Sequence, residues 1–153
     1  MSGEVFNKFN NTALDLILRK HDFQNHTFKF YLTNTPPDAV AMKNKADLPG
    51  IAEGNGYTQA DLVATIGSIT LDGDEAVVTA SGDHTITAAS STNLIPPFRY
   101  VVLYNDSDPQ DALIGYWDYG FVVELKKQYE RFNVGFETGE LLRLRIDPLV
   151  LVE

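Results

Sequence analysis

The chain has 153 residues, 44% of them hydrophobic and 11% aromatic, which is enough for one core and too little to predict two domains. Its 12 Lys and Arg against 21 Asp and Glu give a net charge of −9, a sign repelled by phosphate backbones, so nucleic acid is excluded as an expected partner. With no cysteine there is no disulfide framework and no thiolate metal site, and no run of about eighteen uncharged apolar residues offers a bilayer span. The opening "MSGEVFNKFNNT" also lacks the pattern of a signal peptide, so the expectation is a soluble single domain over 1–153 with no membrane contact.

In chain order, "EVFNKFNNTALDLILRK" repeats Phe6, Phe9, Ala13, Leu16 and Ile17 at three- and four-residue steps. This predicts an amphipathic N-terminal helix over about residues 4–20, with Leu14 and Leu18 widening its stripe and Arg19 and Lys20 in its last turn. "HTFKFYLTN" then alternates Phe28, Phe30 and Leu32 with Thr27, Lys29 and Tyr31 until Pro36-Pro37, the pattern of a strand with one apolar face. Residues from about 35 to 61 are rich in Gly, Pro, Asn and Asp, with turn signals at Pro49-Gly50 and Asn55-Gly56. They are expected to form a long ordered loop, a functional loop or contact arm, or else to hide a short strand.

From Leu62 onward the pattern is β. Ile66, Ile69 and Leu71 lead to the hairpin signal Asp72-Gly73, and residues 76–80 and 85–88 follow as strands. Two aromatic runs, "FRYVVLYN" and "LIGYWDYGFVVEL", flank the polar stretch 105–111, which reads as a turn because Asp, Asn and Ser bond their own backbone. Phe132, Val134 and Phe136, then Leu142, Leu144 and Ile146, add two more strands before Asp147-Pro148. The chain therefore predicts a mainly β fold, an antiparallel β-sandwich of jelly-roll type, with one N-terminal amphipathic helix and the sandwich filling the remainder.

Chemistry is sparse in this pattern. His21 and His26 lie five residues apart, outside any familiar zinc spacing, and neither "DGDE" nor "NDSDPQD" has the spacing of a calcium loop. There is no nucleophile elbow and no phosphate cradle, so no catalytic residue, cofactor or metal ligand is assigned. Apolar residues on both faces of the aromatic strands are the outstanding feature. The second face must lie under the helix, under the long loop or against another subunit. The candidate assembly interface is Phe6, Phe9, Leu16, Tyr100, Tyr104, Trp117, Tyr119 and Phe121, joined by the apolar tail at 149–152.

The segment "FRYVVLYNDSDPQDALIGYWDYG" resembles a family of small virion structural proteins of tailed bacteriophages, in which an Arg-Tyr-x-Val-Leu-Tyr-Asn-Asp run leads to Leu-Ile-Gly-Tyr/Trp-Trp-Asp-Tyr-Gly. "HDFQNHTFKFYLTNTPP", "EGNGYT" and the Phe-x-Val-x-Phe at 132–136 follow the same order, so the likeness covers most of the chain. Gln59, Ala60, Asp61 and Phe121 depart from it. The resemblance implies a non-enzymatic virion protein assembled in the host cytoplasm, a capsid auxiliary (decoration or cement) protein that reinforces the shell. Its implied partners are itself, as a trimer or ring, and other virion proteins, chiefly the major capsid protein. A tail- or fibre-associated module is the alternative within the virion. A carbohydrate-binding module using Tyr116, Trp117 and Tyr119 as a sugar platform is the alternative of another class.

Overall fold

A computed structural model describes residues 5–81, 84–135 and 139–145. In it β1 (Phe6–Lys8) is followed by one helix, α1 (Asn11–Ile17), and then by β2 (Phe28–Thr33), β3 (Val63–Asp72), β4 (Glu75–Ser81) and β5 (His84–Thr87). The chain continues through β6 (Phe98–Asn105), β7 (Leu113–Val123), β8 (Arg131–Val134) and β9 (Glu140–Arg145). Seven strands form one antiparallel sheet in the order β1-β7-β6-β2-β3-β4-β9, and β5 pairs with β8. The sheet curls until its two ends, β1 and β9, face each other across a pocket of about 260 Å³ lined by Phe6, Lys8, Trp117 and residues 140–143. The result is a mainly β protein with one N-terminal helix and a nearly closed seven-stranded sheet.

The N-terminal expectation needs correction. Instead of a helix over 4–20, residues 6–8 are a strand on β7, with Phe6 opposite Trp117 and Lys8 opposite Gly115. The helix is confined to Asn11–Ile17. Asn10 and Asn11 favour a helix start over a helix interior, and at the other end Arg19 takes the left-handed conformation at φ 62°. The spacing of Phe6 and Phe9 is thus shared between two elements. Close approach of β1 to β7 also requires Gly115, because a Cβ there would overlap the Phe6 ring and come within 2.7 Å of the Asn7 carbonyl oxygen.

Two apolar clusters lie on opposite faces of the central strands. The main one gathers Phe28, Phe30, Phe98, Val101, Leu103, Ile114 and Trp117, with Ile86, Phe132 and Val134 brought in from the β5–β8 ribbon. The second comprises Phe9, Tyr31, Leu48, Val102, Tyr104 and Leu113, with Met42 and Tyr116 packed against it. Simple alternation puts Phe98 with Val102 and Tyr104, and Leu113 with Trp117. Register irregularities between Phe98 and Tyr100 and between Leu103 and Tyr104 transfer Phe98 to the main cluster and separate Leu113 from Trp117. Tyr31, read as part of a polar face, is fully buried and donates its hydroxyl to the Leu48 carbonyl at 2.8 Å.

The long loop covers the second cluster. It is built from two 3₁₀ turns, Lys45–Asp47 and Gln59–Asp61, and single bridges Asn44↔Ala112 and Gly54↔Tyr57. It also completes the hydrogen bonding of β2 where β3 no longer reaches, through Ile51 N to Leu32 O at 2.9 Å and Leu32 N to the Tyr57 hydroxyl at 3.0 Å. Gly56 closes the Asn55-Gly56 turn at φ 111°, and a Cβ there would strike the Thr87 carbonyl. The Asp72-Gly73 hairpin forms as expected, with Asp72 opposite Glu75. The expectations at Phe136, at Ile146 to Pro148 and for the tail 149–152 lie outside the described residues.

Candidate functional site

The β6–β7 hairpin carries the most distinctive sequence, and its polar loop is a self-bonded turn. Asn105 N donates to Ala112 O at 3.0 Å, Ser107 N to the Asn105 side-chain oxygen at 2.9 Å, and the amides of Gln110 and Ala112 to Asp108 Oδ2 at 3.1 and 3.2 Å. Asp106 pairs with Lys29 at 3.1 Å, and partial burial raises the carboxyl pKa of Asp111. Across the strands, Arg99 grips Asp118 with two hydrogen bonds of 2.8 and 3.1 Å. Those bonds raise the guanidinium pKa and lower the carboxyl, but both groups are about a third exposed, so solvent screening keeps the pair's contribution small.

Beneath the loop lies a polar junction that the sequence pattern does not reveal. Asn105 is fully buried, and its Nδ2 reaches Lys20 O at 2.9 Å, His26 Nδ1 at 3.0 Å and His21 Nδ1 at 3.2 Å. His21 Nε2 and Asp15 Oδ2 sit 3.8 Å apart, both buried and neither hydrogen-bonded. Burial lowers the pKa of His21, while Asp15 and Asp108 oppose that shift. The junction ties the end of α1 to the turn at 21–26 and to the β6–β7 hairpin. Among the described residues no group of His, Cys, Asp and Glu is arranged to hold a metal ion.

The eight residues expected at an assembly interface do not form one surface. Phe9, Tyr100, Tyr104 and Trp117 are 1%, 8%, 3% and 6% exposed and belong to the interior of this chain. Phe6 lies on the Trp117 ring at 4.6 Å between centroids, and Leu16 is half-buried against the main cluster. Tyr119 packs edge-on to Phe132 at 5.2 Å and carries Phe121 on its outer side at 4.8 Å. Of the eight, Phe121 alone stands clear of the core, at 63% exposed. Burial also holds the Tyr104 phenol un-ionised, with its pKa pushed up to about 12, and Lys45 caps that ring at 4.6 Å.

The helix supplies the surface that the sequence reading missed. α1 buries its polar residues: Thr12 donates its hydroxyl to Ile114 O at 2.9 Å, and Asp15 is held by Asn11 at 3.0 Å. Leu14, Ile17 and Leu18 share the opposite side at i, i+3 and i+4, and are 51%, 80% and 57% exposed. The available signal is the run of five apolar residues within 13–18, which exceeds one helical stripe and forces part of it outward. No described helix is long and apolar enough to cross a membrane. Compared with known protein families, curated proteins and solved structures, this chain matches none of them.

Proposed function

We propose that this protein is a non-enzymatic structural component of a tailed-bacteriophage virion, an auxiliary protein that decorates the capsid and reinforces the shell. The observation that carries the reading is the inverted helix α1, whose buried side is Thr12 and Asp15 and whose outer side is Leu14, Ile17 and Leu18. Apolar side chains grouped outside a completed core mark a contact surface. The resemblance of the 98–120 segment to small virion proteins supplies the kind of partner, the major capsid protein. Closed self-association, assembly in the host cytoplasm and the jelly-roll description of the nearly closed sheet belong to the same proposal. Burial of Trp117 weighs against the sugar platform, because that reading needs the indole face in solvent.

The test is attachment to purified capsid shells that lack the protein, followed by co-sedimentation. The wild-type chain binds, and Ile17→Asp together with Leu14→Asp abolishes binding while leaving the melting temperature nearly unchanged. Wild-type protein that ignores shells but binds purified tails or fibres moves it to the tail-associated reading. Binding to neither, or binding indifferent to the helix substitutions, overturns the proposed attachment.

A further inference from the structure

β3 enters the sheet beside β2 and leaves it almost at once. Phe28↔Ala64 and Lys29↔Val63 are the paired residues between them, whereas on its other side β3 pairs with β4 as far as Asp72. β2 ends there because Thr27 is drawn to the β6–β7 loop, accepting from Asp106 N at 2.9 Å and donating its amide to Ser107 Oγ at 2.8 Å. Among the described residues, nothing pairs with the β2-side edge of residues 65–72. Seven of these eight are exposed, Ile66 being intermediate. A hollow of about 250 Å³ runs beside the edge, lined by Phe23, Gln24, Ile66, Gly67 and Ile69.

Open edges are ordinarily kept short or charged, to prevent pairing with another chain. β1 spans three residues, and the β5–β8 ribbon has four on each strand. β9 carries Glu140, Arg143 and Arg145. β3 has ten residues, and from Thr65 to Leu71 it reads Thr-Ile-Gly-Ser-Ile-Thr-Leu, without a charge or a proline. Ile69 and Leu71 lie opposite Val78 and Ala76 on the core-facing side of the sheet, yet overhang the core at 43% and 75% exposed. The register shift between Ile66 and Ile69 interrupts the ladder and still leaves residues 69–72 in regular pairing with β4.

We infer that the β3 edge is a self-pairing surface, on which residues 65–72 of two copies of this chain join antiparallel about a two-fold axis. A second copy fits as the occupant because an open antiparallel edge is complementary to itself about a two-fold axis, and charge does not prevent the approach. Two chains of net charge −9 repel wherever their acids meet, and this edge lets them approach without confronting carboxylates. Any two-fold centred within 65–71 sets Asp72 opposite an uncharged residue. Asp72 also pairs with Arg143 of its own chain at 3.2 Å, a cation it shares with Glu75 and Glu140. The pairing also sets Ile69 and Leu71 of one copy on the same face as those of the other, where cross-strand apolar contacts form. The contact is isologous, so its product is a pair, and a larger closed assembly would be built from such pairs through another face.

The proposal is independent of capsid attachment and is read on the isolated full-length protein. Sedimentation velocity from low to high micromolar concentration is expected to show a monomer–dimer equilibrium, which Ile69→Lys weakens about tenfold or more. Ile69→Thr, still a strand former, retains more of the dimer. Thr70→Lys, on the other face of β3, repeats the test should Ile69→Lys melt early. Hydrogen exchange places the contact: amides of 65–72 gain protection with concentration in the wild type and not in the lysine variants. A chain that stays monomeric throughout, or a dimer unaffected by both lysines, overturns the inference. So does protection of these amides that is independent of concentration, since the edge is then covered by the chain itself.

Discussion

The β6–β7 hairpin and the β3–β4 hairpin share an antiparallel plan and have opposite fates. The first is rich in aromatic side chains and the second in β-branched and small ones, and both close at polar turns. β6 and the first half of β7 are buried on both faces, by the main cluster on one side and by Phe9 and the long loop on the other. Residues 67–72 of β3 are exposed throughout. The difference lies in what the rest of the chain lays over each hairpin. A strand's own pattern states how much apolar surface it offers, and distant segments determine how much of that surface is left for a partner.

The sharpest way to break the comparison is at the centre of the covered hairpin. Trp117 touches Phe6 at 4.6 Å and Phe30 at 5.7 Å between ring centroids, and is 6% exposed. Trp117→Ala is expected to cost about 3 to 5 kcal/mol in urea unfolding, the range for truncating a buried aromatic ring. Its emission in the native protein should be that of a shielded indole and should not respond to added oligosaccharide. Water-like emission quenched by sugar would restore the carbohydrate reading.

Much of this architecture was legible beforehand. Alternation in 28–32, 98–104 and 113–123 marked the strands, and Asp72-Gly73 marked a hairpin that formed. What failed was assignment of faces. Phe6 and Phe9 are separated by a change of element, and Phe98 and Leu113 by register shifts, neither of which leaves a mark on local periodicity. Four of the eight candidate interface residues, Phe9, Tyr100, Tyr104 and Trp117, are buried within the chain for a related reason. An aromatic strand looks like surplus surface until the long loop, some fifty residues away in sequence, is placed over it. Asp15 and His21 were illegible because a buried carboxylate and a buried imidazole are visible only when their long-range partners are known.

The polar junction under the covered hairpin gives a second, intermediate effect. Burial holds the folded-state pKa of His21 below its ordinary value of 6.5, against the pull of Asp15 and Asp108 and with His26 and Lys20 adding to the depression. Below that value the unfolded chain takes up a proton that the native chain resists, so the associated stability is present above about pH 6.5 and is lost as pH falls towards the folded pKa. Melting temperature should therefore decline on acidification from neutrality, before the carboxylates titrate. His21→Gln should flatten that slope. An unchanged slope would assign the acid sensitivity to other groups.

The smallest effect belongs to the uncovered hairpin, and there the comparison is most exposed to refutation. Leu71 is 75% exposed and lies opposite Ala76, itself exposed, so its side chain has already kept most of its contact with water in the folded monomer. Removing it forfeits little burial and opens no cavity, and Leu71→Ser should change unfolding free energy by no more than about 0.5 kcal/mol at low protein concentration. At high concentration the same substitution removes an apolar contact from the seam between two copies, so the concentration dependence of melting should shrink. A large loss in the dilute monomer would mean that part of this chain packs over the hairpin tip. The two hairpins would then differ only in which segment covers them, and the edge would not be available to a second copy.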